Sequence, residues 1–447
     1  MSDAPVRSLR ERVFRSGGIT TAGYAVNQVL RFASNLILTR LLFPEAFGIV
    51  AIMQAVVIGV TMLSDVGVAQ SIVRSARGAE PGFVNTAWTI QIIKGFVMAL
   101  ALWLASGSVA AAYGQPLLAE LMLVAALAAL VGGFNSTKVA LADRNVDPVR
   151  VTLIDVGTLL VGIVATIILA WLHPSPWALV WGNLISTAAR MVAGHVLLKG
   201  PLNRLAWDAG AARSIFSFGS WVLLSSALTF FAGEGNKLIS GALLDVKLLA
   251  LLGIASTLNM VIWQAVQQMT GRVLFPAYAE VLRTDPGRFS SVVEKARRVQ
   301  VAPAWAVALM FAFFGSQIVG LLYDKRYDGA GVMLQLQAVG LMLHMLNGSF
   351  GGALWALGRI GLSTWMLVAQ VAIQIGAMVI GSWLYGKPGA VIGFSASGWL
   401  LYPLHAIVYA RVGLWHPKLD IPVVIGSVLA AVGAGMVIDW QVVAGWK

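Results

Sequence analysis

The sequence predicts an all-α, polytopic integral membrane protein, and three observations predict it. Hydrophobic residues make up 58% of the 447-residue chain and charged residues only 11%, where a soluble domain carries about 25% charge; the mean hydropathy is +0.81. The apolar residues gather into segments of about 20 residues, the length that crosses a bilayer. The bases are then distributed unevenly between the connections. With the N-terminus in the cytoplasm, 21 of the 31 Lys and Arg fall at the inner ends and only six at the outer ones (Arg40, Lys247, Lys325, Arg326, Lys387 and Lys447), the asymmetry that sets membrane orientation.

Taken in order, the segments run over 17–42, 47–68, 86–109, 117–140, 149–172, 177–198, 214–243, 246–273, 299–321, 329–357, 362–384, 389–412 and 421–438, giving about 12–13 transmembrane helices. Arg7, Arg10, Arg12 and Arg15 precede the first; their apolar run is longer than the roughly 7–15 residues of a signal peptide and reads as an uncleaved span. Only Phe43-Pro44-Glu45-Ala46 separates the first two segments, which predicts a tight helical hairpin. Outer turns such as His173-Pro174-Ser175-Pro176 and Tyr385-Gly386-Lys387-Pro388 are short proline breakers. Ser291-Val292-Val293-Glu294 has the spacing of a helix capping box.

The longest hydrophilic connections, 199–213 and 274–298, lie on the cytoplasmic side. The first divides six spans from six. A weak repeat supports that division: Phe14-Arg15-Ser16-Gly17 leads the first span and Phe216-Ser217-Phe218-Gly219 the seventh. The expected organisation is a basic cytoplasmic tail (1–16), a six-helix lobe (17–198), a cytoplasmic linker (199–213), a second six-helix lobe (214–412) and an additional C-terminal helix (413–447). An even number of spans gives both halves one orientation.

Four bases, Arg31, Lys94, Arg190 and Lys237, fall inside spans more than two residues from either end. Arg31 is far from either end of its segment, and Asn27, Arg31 and Asn35 recur every four residues on one helical face. An ionised group at the bilayer centre costs at least about 2.5–3.5 kcal/mol, so this stripe is expected to line a water-filled, cationic interior. Lys237 lies three residues after Glu234, within Gly233-Glu234-Gly235-Asn236-Lys237; the two can pair, or Lys237 can face the cavity while Glu234 acts as a protonation site. Lys94 and Arg190 are expected to anchor at the interface with extended stems, with Asp155 able to pair with either.

Several chemistries are excluded. The chain has no cysteine, which removes disulfides, thiolate metal sites and cysteine nucleophiles. Five scattered histidines show no metal-ligand spacing, and neither a Walker A pattern nor GxGxxG occurs, so no cofactor and no nucleotide-driven step is expected. The net charge of +12 is explained by inner loops and calls for no nucleic-acid partner.

Leu41-Leu42-Phe43-Pro44-Glu45-Ala46-Phe47-Gly48 followed by Ser64-Asp65-Val66-Gly67-Val68, then Leu274-Phe275-Pro276-Ala277, Asp285-Pro286-Gly287-Arg288-Phe289, Pro303, Ile318-Val319-Gly320-Leu321-Leu322-Tyr323 and Ala330, resemble in order and spacing the polysaccharide-transporter (Wzx-type) flippases. These belong to the multidrug/oligosaccharidyl-lipid/polysaccharide exporter superfamily. The resemblance implies two six-helix lobes around a central cavity, alternating access, no enzymatic step, residence in the bacterial inner membrane and, for Asp65, a part in the family's turn structure. It implies as cargo an oligosaccharide on undecaprenyl pyrophosphate, with membrane lipids, a polysaccharide polymerase and assembly machinery as partners. Arg31, Asn27, Asn35 and Lys237 are then the candidate substrate residues, and Glu234 and Asp155 the candidates for ion coupling. The competing functions are a small-solute or multidrug exporter of the same superfamily, or a membrane glycan polymerase or ligase; the latter would be expected to carry a sizeable periplasmic loop.

Overall fold

The computed structural model describes residues 9–144, 148–233, 235–270 and 274–446. Among these residues every regular element is helical, and nine helices are long and apolar enough to cross a membrane. The chain separates into two compact units, residues 1–230 and 231–447.

The first unit begins with α1 (Leu9–Leu41) and α2 (Pro44–Leu63). The two do not form the expected hairpin. They meet near the turn, where Leu38, Leu42 and Ala46 share a core with Ala170 and Ala178; beyond it α1 lies along α7 (Pro148–Leu172), and α2 packs on α4 (Pro81–Ala112), α5 (Pro116–Gly133) and α8 (Pro176–Val196). The physical reason is small-residue fit. A Cβ at Gly23 would lie 2.1 Å from the Thr152 methyl, so glycine lets α1 close onto α7.

Two expected spans of the first unit are interrupted. The second ends at Leu63 and resumes as α3 (Val68–Arg74); the fourth ends at Gly133 and resumes as α6 (Lys138–Arg144). Gly67 turns the first break with φ 61°, a left-handed conformation that glycine adopts without a Cβ penalty, and its N–H donates to Asp65 Oδ1 at 3.2 Å. The expected turn role of Asp65 is thus met. α3 and α6 pack on each other. Proline opens α2, α4, α5 and α8, where its missing N–H forfeits no helical bond.

After α9 (Ala209–Gly233), the second unit continues with α10 (Gly235–Leu243), α11 (Val246–Met269), α12 (Phe275–Thr284), α13 (Phe289–Leu322), α14 (Gly329–Gly348), α15 (Gly351–Ala356) and α16 (Ile360–Val412). α16 is two helices folded back on each other at Gly386, whose φ of 66° and ψ of −148° are non-helical; this is the Tyr385–Pro388 turn that the sequence predicts. The arms touch through backbone, since a Cβ at Gly381 would lie 2.1 Å from the Gly389 carbonyl oxygen. α17 (Pro417–Val437) and α18 (Trp440–Ala444) follow. The order of packing repeats between units: α4 on α5, α7 on α8 and α3 on α6 in the first correspond to α13 on α14, arm on arm of α16 and α12 on α15 in the second.

The capping box at Ser291–Glu294 is not formed. α13 starts two residues earlier, the Ser291 hydroxyl donates to the Arg288 carbonyl at 2.8 Å, and Glu294 pairs with Arg298 one turn on. Pro286 and the short 3-10 turn after it already initiate the helix, so no N-cap is needed at Ser291.

Candidate functional site

On α1 the buried residues Gly23, Ser34 and Leu38 form the stripe that faces α7. At about 100° per residue, Val26, Val29 and Ile37 fall on one flank of that stripe and Tyr24, Gln28, Arg31 and Asn35 on the other. The first flank is an exposed apolar edge, with Val29 66% accessible, and suits lipid. Arg31 lies on the polar flank and is exposed; among the described residues no carboxylate pairs with it. Asn35 beside it is half-buried. Asn27 lies nearer α7, and its side-chain oxygen is buried with no hydrogen-bond partner.

Inside the first unit, the breaks after α2 and α5 open a cavity of about 430 Å³ whose walls include Asp65, Gln91, Lys94, Asn135, Asp143 and Arg190. Lys94 Nζ donates to Asp65 Oδ1 at 3.1 Å, and Arg190 Nη2 pairs with Asp155 Oδ1 at 2.8 Å. The sequence expected both bases to reach for the interface. They turn to carboxylates instead, because an opposite charge at hydrogen-bond distance offsets more of the desolvation cost than an extended stem. Asp155 therefore takes one of its two expected partners, Arg190. Gln91 Nε2 donates to the carbonyls of Gly133 and Asn135 at 3.2 and 2.8 Å, satisfying acceptors that the end of α5 leaves without intrahelical partners.

Sequence reading missed Asp143 on α6. Its carboxyl is pushed up by burial and by the neighbouring Asp155 charge, against the pull of Arg190. Two carboxylates, Asp65 and Asp143, against two bases, Lys94 and Arg190, make this cavity a site of balanced charge, unlike the cationic stripe on α1.

In the second unit, Lys237 is exposed on α10, which starts at Gly235. Glu234 lies outside the described residues. The largest surprise is Arg297. It lies in the expected hydrophilic connection 274–298, yet it has no exposed surface. Its Nη2 donates to Asp420 Oδ1 at 2.8 Å, its Nε to Ser349 Oγ at 2.9 Å, and the guanidinium stacks 3.5 Å from the Phe350 ring centroid. Tyr402 donates to the second oxygen of Asp420 at 3.3 Å. The signal was periodic: Val293, Arg297, Gln300 and Ala304 share the buried face of α13, whereas Lys295 and Arg298 point away and are exposed.

With this geometry in place, the comparisons are informative. A family model described as polysaccharide biosynthesis protein matches residues 37–331. The lipopolysaccharide biosynthesis protein WzxC of Escherichia coli strain K12 is 23% identical over 393 residues, 87% of this chain and 78% of that protein. An uncharacterized membrane protein in the cps region of Klebsiella pneumoniae is 21% identical over 369 residues, covering 82% and 76%. Among solved structures, the lipid II flippase MurJ in an inward closed conformation superposes with a TM-score of 0.69 at 11% identity, covering 92% of this chain and 90% of that one. An inward-facing multidrug resistance MATE transporter of the MOP superfamily gives 0.66 at 15% identity, covering 87% and 94%. The structural likenesses establish the fold.

Proposed function

Because the chain belongs to the polysaccharide biosynthesis protein family, with the fold of the MOP superfamily, we propose that this membrane-embedded flippase carries an oligosaccharide on undecaprenyl pyrophosphate. It moves this lipid from the cytoplasmic to the periplasmic leaflet of the bacterial inner membrane by alternating access. The bodies that move are the lobes 17–198 and 214–412, joined through 199–213, with 413–447 an added C-terminal helix. The N-terminus is cytoplasmic.

The observation that carries this reading is Arg31. A guanidinium in mid-helix, on the polar flank of α1 and without a carboxylate among the described residues, is an uncompensated cation where its insertion is costly. It suits an anion that arrives and leaves, and its fork of donors matches phosphate oxygens. Asn27 and Asn35 contribute polar contacts beside it, and Lys237 is a further candidate for contact with the anionic substrate. Glu234 and Asp155 are the carboxylates proposed for ion coupling, with Asp143 next to the latter.

Translocation of a labelled undecaprenyl-pyrophosphate oligosaccharide in proteoliposomes tests this. Wild type should move the lipid, Arg31→Ala should lose about tenfold or more in rate, and Arg31→Lys, which keeps the charge but not the fork, should fall between. Normal transport by folded, inserted Arg31→Ala would remove Arg31 from the mechanism. Failure of wild type with a range of oligosaccharides and ion gradients would remove the cargo assignment.

A further inference from the structure

A second cavity in the first unit, about 520 Å³, is walled by Ser71, Arg74 and Ser75 at the end of α3 and by Ser214, Ser217 and Phe218 near the start of α9. Its volume is many times the roughly 30 Å³ of one water, so a ligand can enter with part of its hydration. The wall offers four hydroxyls, one guanidinium and one aromatic ring, and no carboxylate.

Ser71 is only 5% exposed, yet its hydroxyl has no hydrogen-bond partner. Elsewhere in this chain, helical hydroxyls return to the carbonyl one turn back, as Thr61 does to Val57 at 2.7 Å, Thr166 to Gly162 at 2.8 Å and Thr270 to Val266 at 2.9 Å. A buried hydroxyl that forgoes this bond on a cavity wall is a donor held for something else. Ser75 Oγ accepts the Arg77 N–H at 3.2 Å, which leaves its own proton to give. Ser214 and Ser217, three residues apart, share a face of α9.

Arg74 stacks on Phe218, its guanidinium carbon 4.9 Å from the ring centroid. Among the described residues it has no carboxylate partner: Glu80 and Asp208, the acids of the adjoining connections, are both engaged by Arg77 at 2.8 Å. The wall is held in place. Arg144 donates to the Ile72 and Ser75 carbonyls at 2.8 and 2.6 Å, gripping the C-terminus of α3. α9 lies against the preceding turn, where a Cβ at Gly219 would meet the Val66 carbonyl oxygen at 2.5 Å.

A set of donors with a cation and no competing acid is the complement of an acceptor-rich anion. A lipophilic cation would meet Arg74, and an acyl chain would leave the hydroxyls unsatisfied. The geometry points to a binding site for a phosphate-type oxyanion, with Arg74 spanning two oxygens and Ser71, Ser75, Ser214 and Ser217 donating to the rest. The same chemistry is presented by a lipid phosphate or pyrophosphate headgroup and by soluble pyrophosphate. The site does not rest on the flippase reading, since it binds an anion whether or not an oligosaccharide crosses.

The full-length protein in phosphatidylcholine nanodiscs is titrated with inorganic pyrophosphate, phosphatidylglycerol and undecaprenyl pyrophosphate. For at least one probe, Kd should rise about tenfold or more in Arg74→Gln and recover in part in Arg74→Lys, since lysine keeps the charge without the fork. Ser71→Ala should weaken binding several-fold, and Ser217→Leu, which narrows the cavity from an exposed position with Arg74 intact, should weaken it too. Arg411→Gln, an exposed charge in the second unit, should match wild type. Binding of inorganic pyrophosphate assigns a soluble anion; binding of the lipids alone assigns a headgroup. The site is refuted if no probe binds folded wild type, or if Arg74→Gln and Ser217→Leu, with unchanged thermal melts, bind as wild type does.

Discussion

At Arg297 a full charge has been taken out of contact with solvent, and the surroundings show what that requires. Asp420 neutralises it, Ser349 accepts one donor and Phe350 faces the delocalised cation, while Nη1 is left with no partner. Removing one member of such a pair strands the other, at a cost of about 3–5 kcal/mol, whereas replacing both by apolar residues of similar volume is often neutral. Arg297→Met and Asp420→Leu should therefore each lower stability by about that amount in reversible unfolding in detergent. The double variant should recover most of the loss, and simple additivity of the two losses would show that the ion pair is not the governing contact. Arg31 and Arg297 differ in how readable they were. Arg31 stands alone in an apolar segment, so its oddity is local. Arg297 sits in a basic run beside a span end, and its burial depends on Asp420, 123 residues further on. A spacing argument over Val293, Gln300 and Ala304 marks the face but names no partner.

Helices announced by hydropathy and proline were legible; breaks within them were not. The expected spans 47–68 and 117–140 read as continuous because Ser64–Gly67 and Phe134–Thr137 are only four residues each, yet both breaks open the unit-one cavity. The connection 199–208 shows the same limit. Its composition marks a hydrophilic connection, but the chain is strapped onto α4 and the α5–α6 break through side chains that local pattern cannot foresee. The Arg204 N–H donates to Asn85 Oδ1 at 3.1 Å, Ala206 exchanges hydrogen bonds with Thr89, the Asp208 N–H donates to Thr86 Oγ1 at 2.8 Å, and Ser136 donates to Asn203 at 2.9 Å. The strap ends at Asp208, whose carboxyl is held below the usual carboxylate range by Arg77 and then by the N–H groups of Ala211 and Gly210. A depressed carboxyl contributes fully above its unfolded value of about 3.9 and loses the contribution as pH falls through the folded one. Amide exchange over 203–212, normalised for intrinsic rate, should thus stay protected down to about pH 4 and open below it. Arg77→Gln should move that opening to higher pH. Protection indifferent to Arg77 would mean that Thr86 and Thr89 hold the strap unaided.

Across the whole molecule, a repeated order of packing within each unit agrees with the faint repeat between Phe14-Arg15-Ser16-Gly17 and Phe216-Ser217-Phe218-Gly219, while orientation is a property that packing alone does not set. The distribution of bases bears on it: with 21 at the inner ends against six at the outer ones, the proposed orientation puts Lys199 and Arg283 on the cytoplasmic side and His173 and Tyr385 outside. The proposed direction of transport depends on this, because the proposed cargo enters from the cytoplasmic leaflet, the side assigned to the N-terminus. The chain is suited to a direct test, since it contains no cysteine and any introduced thiol reports without background. In intact spheroplasts a membrane-impermeant maleimide should label His173→Cys and Tyr385→Cys and spare Lys199→Cys and Arg283→Cys until the membrane is permeabilised. Trp171 and Trp383, the exposed aromatics near the two outer positions, suit the headgroup level and keep those thiols close to water. Labelling of all four in intact cells would break the assigned topology. A clean inversion would keep the fold and reverse the membrane, so that the proposed flippase would load its cargo from the periplasmic leaflet.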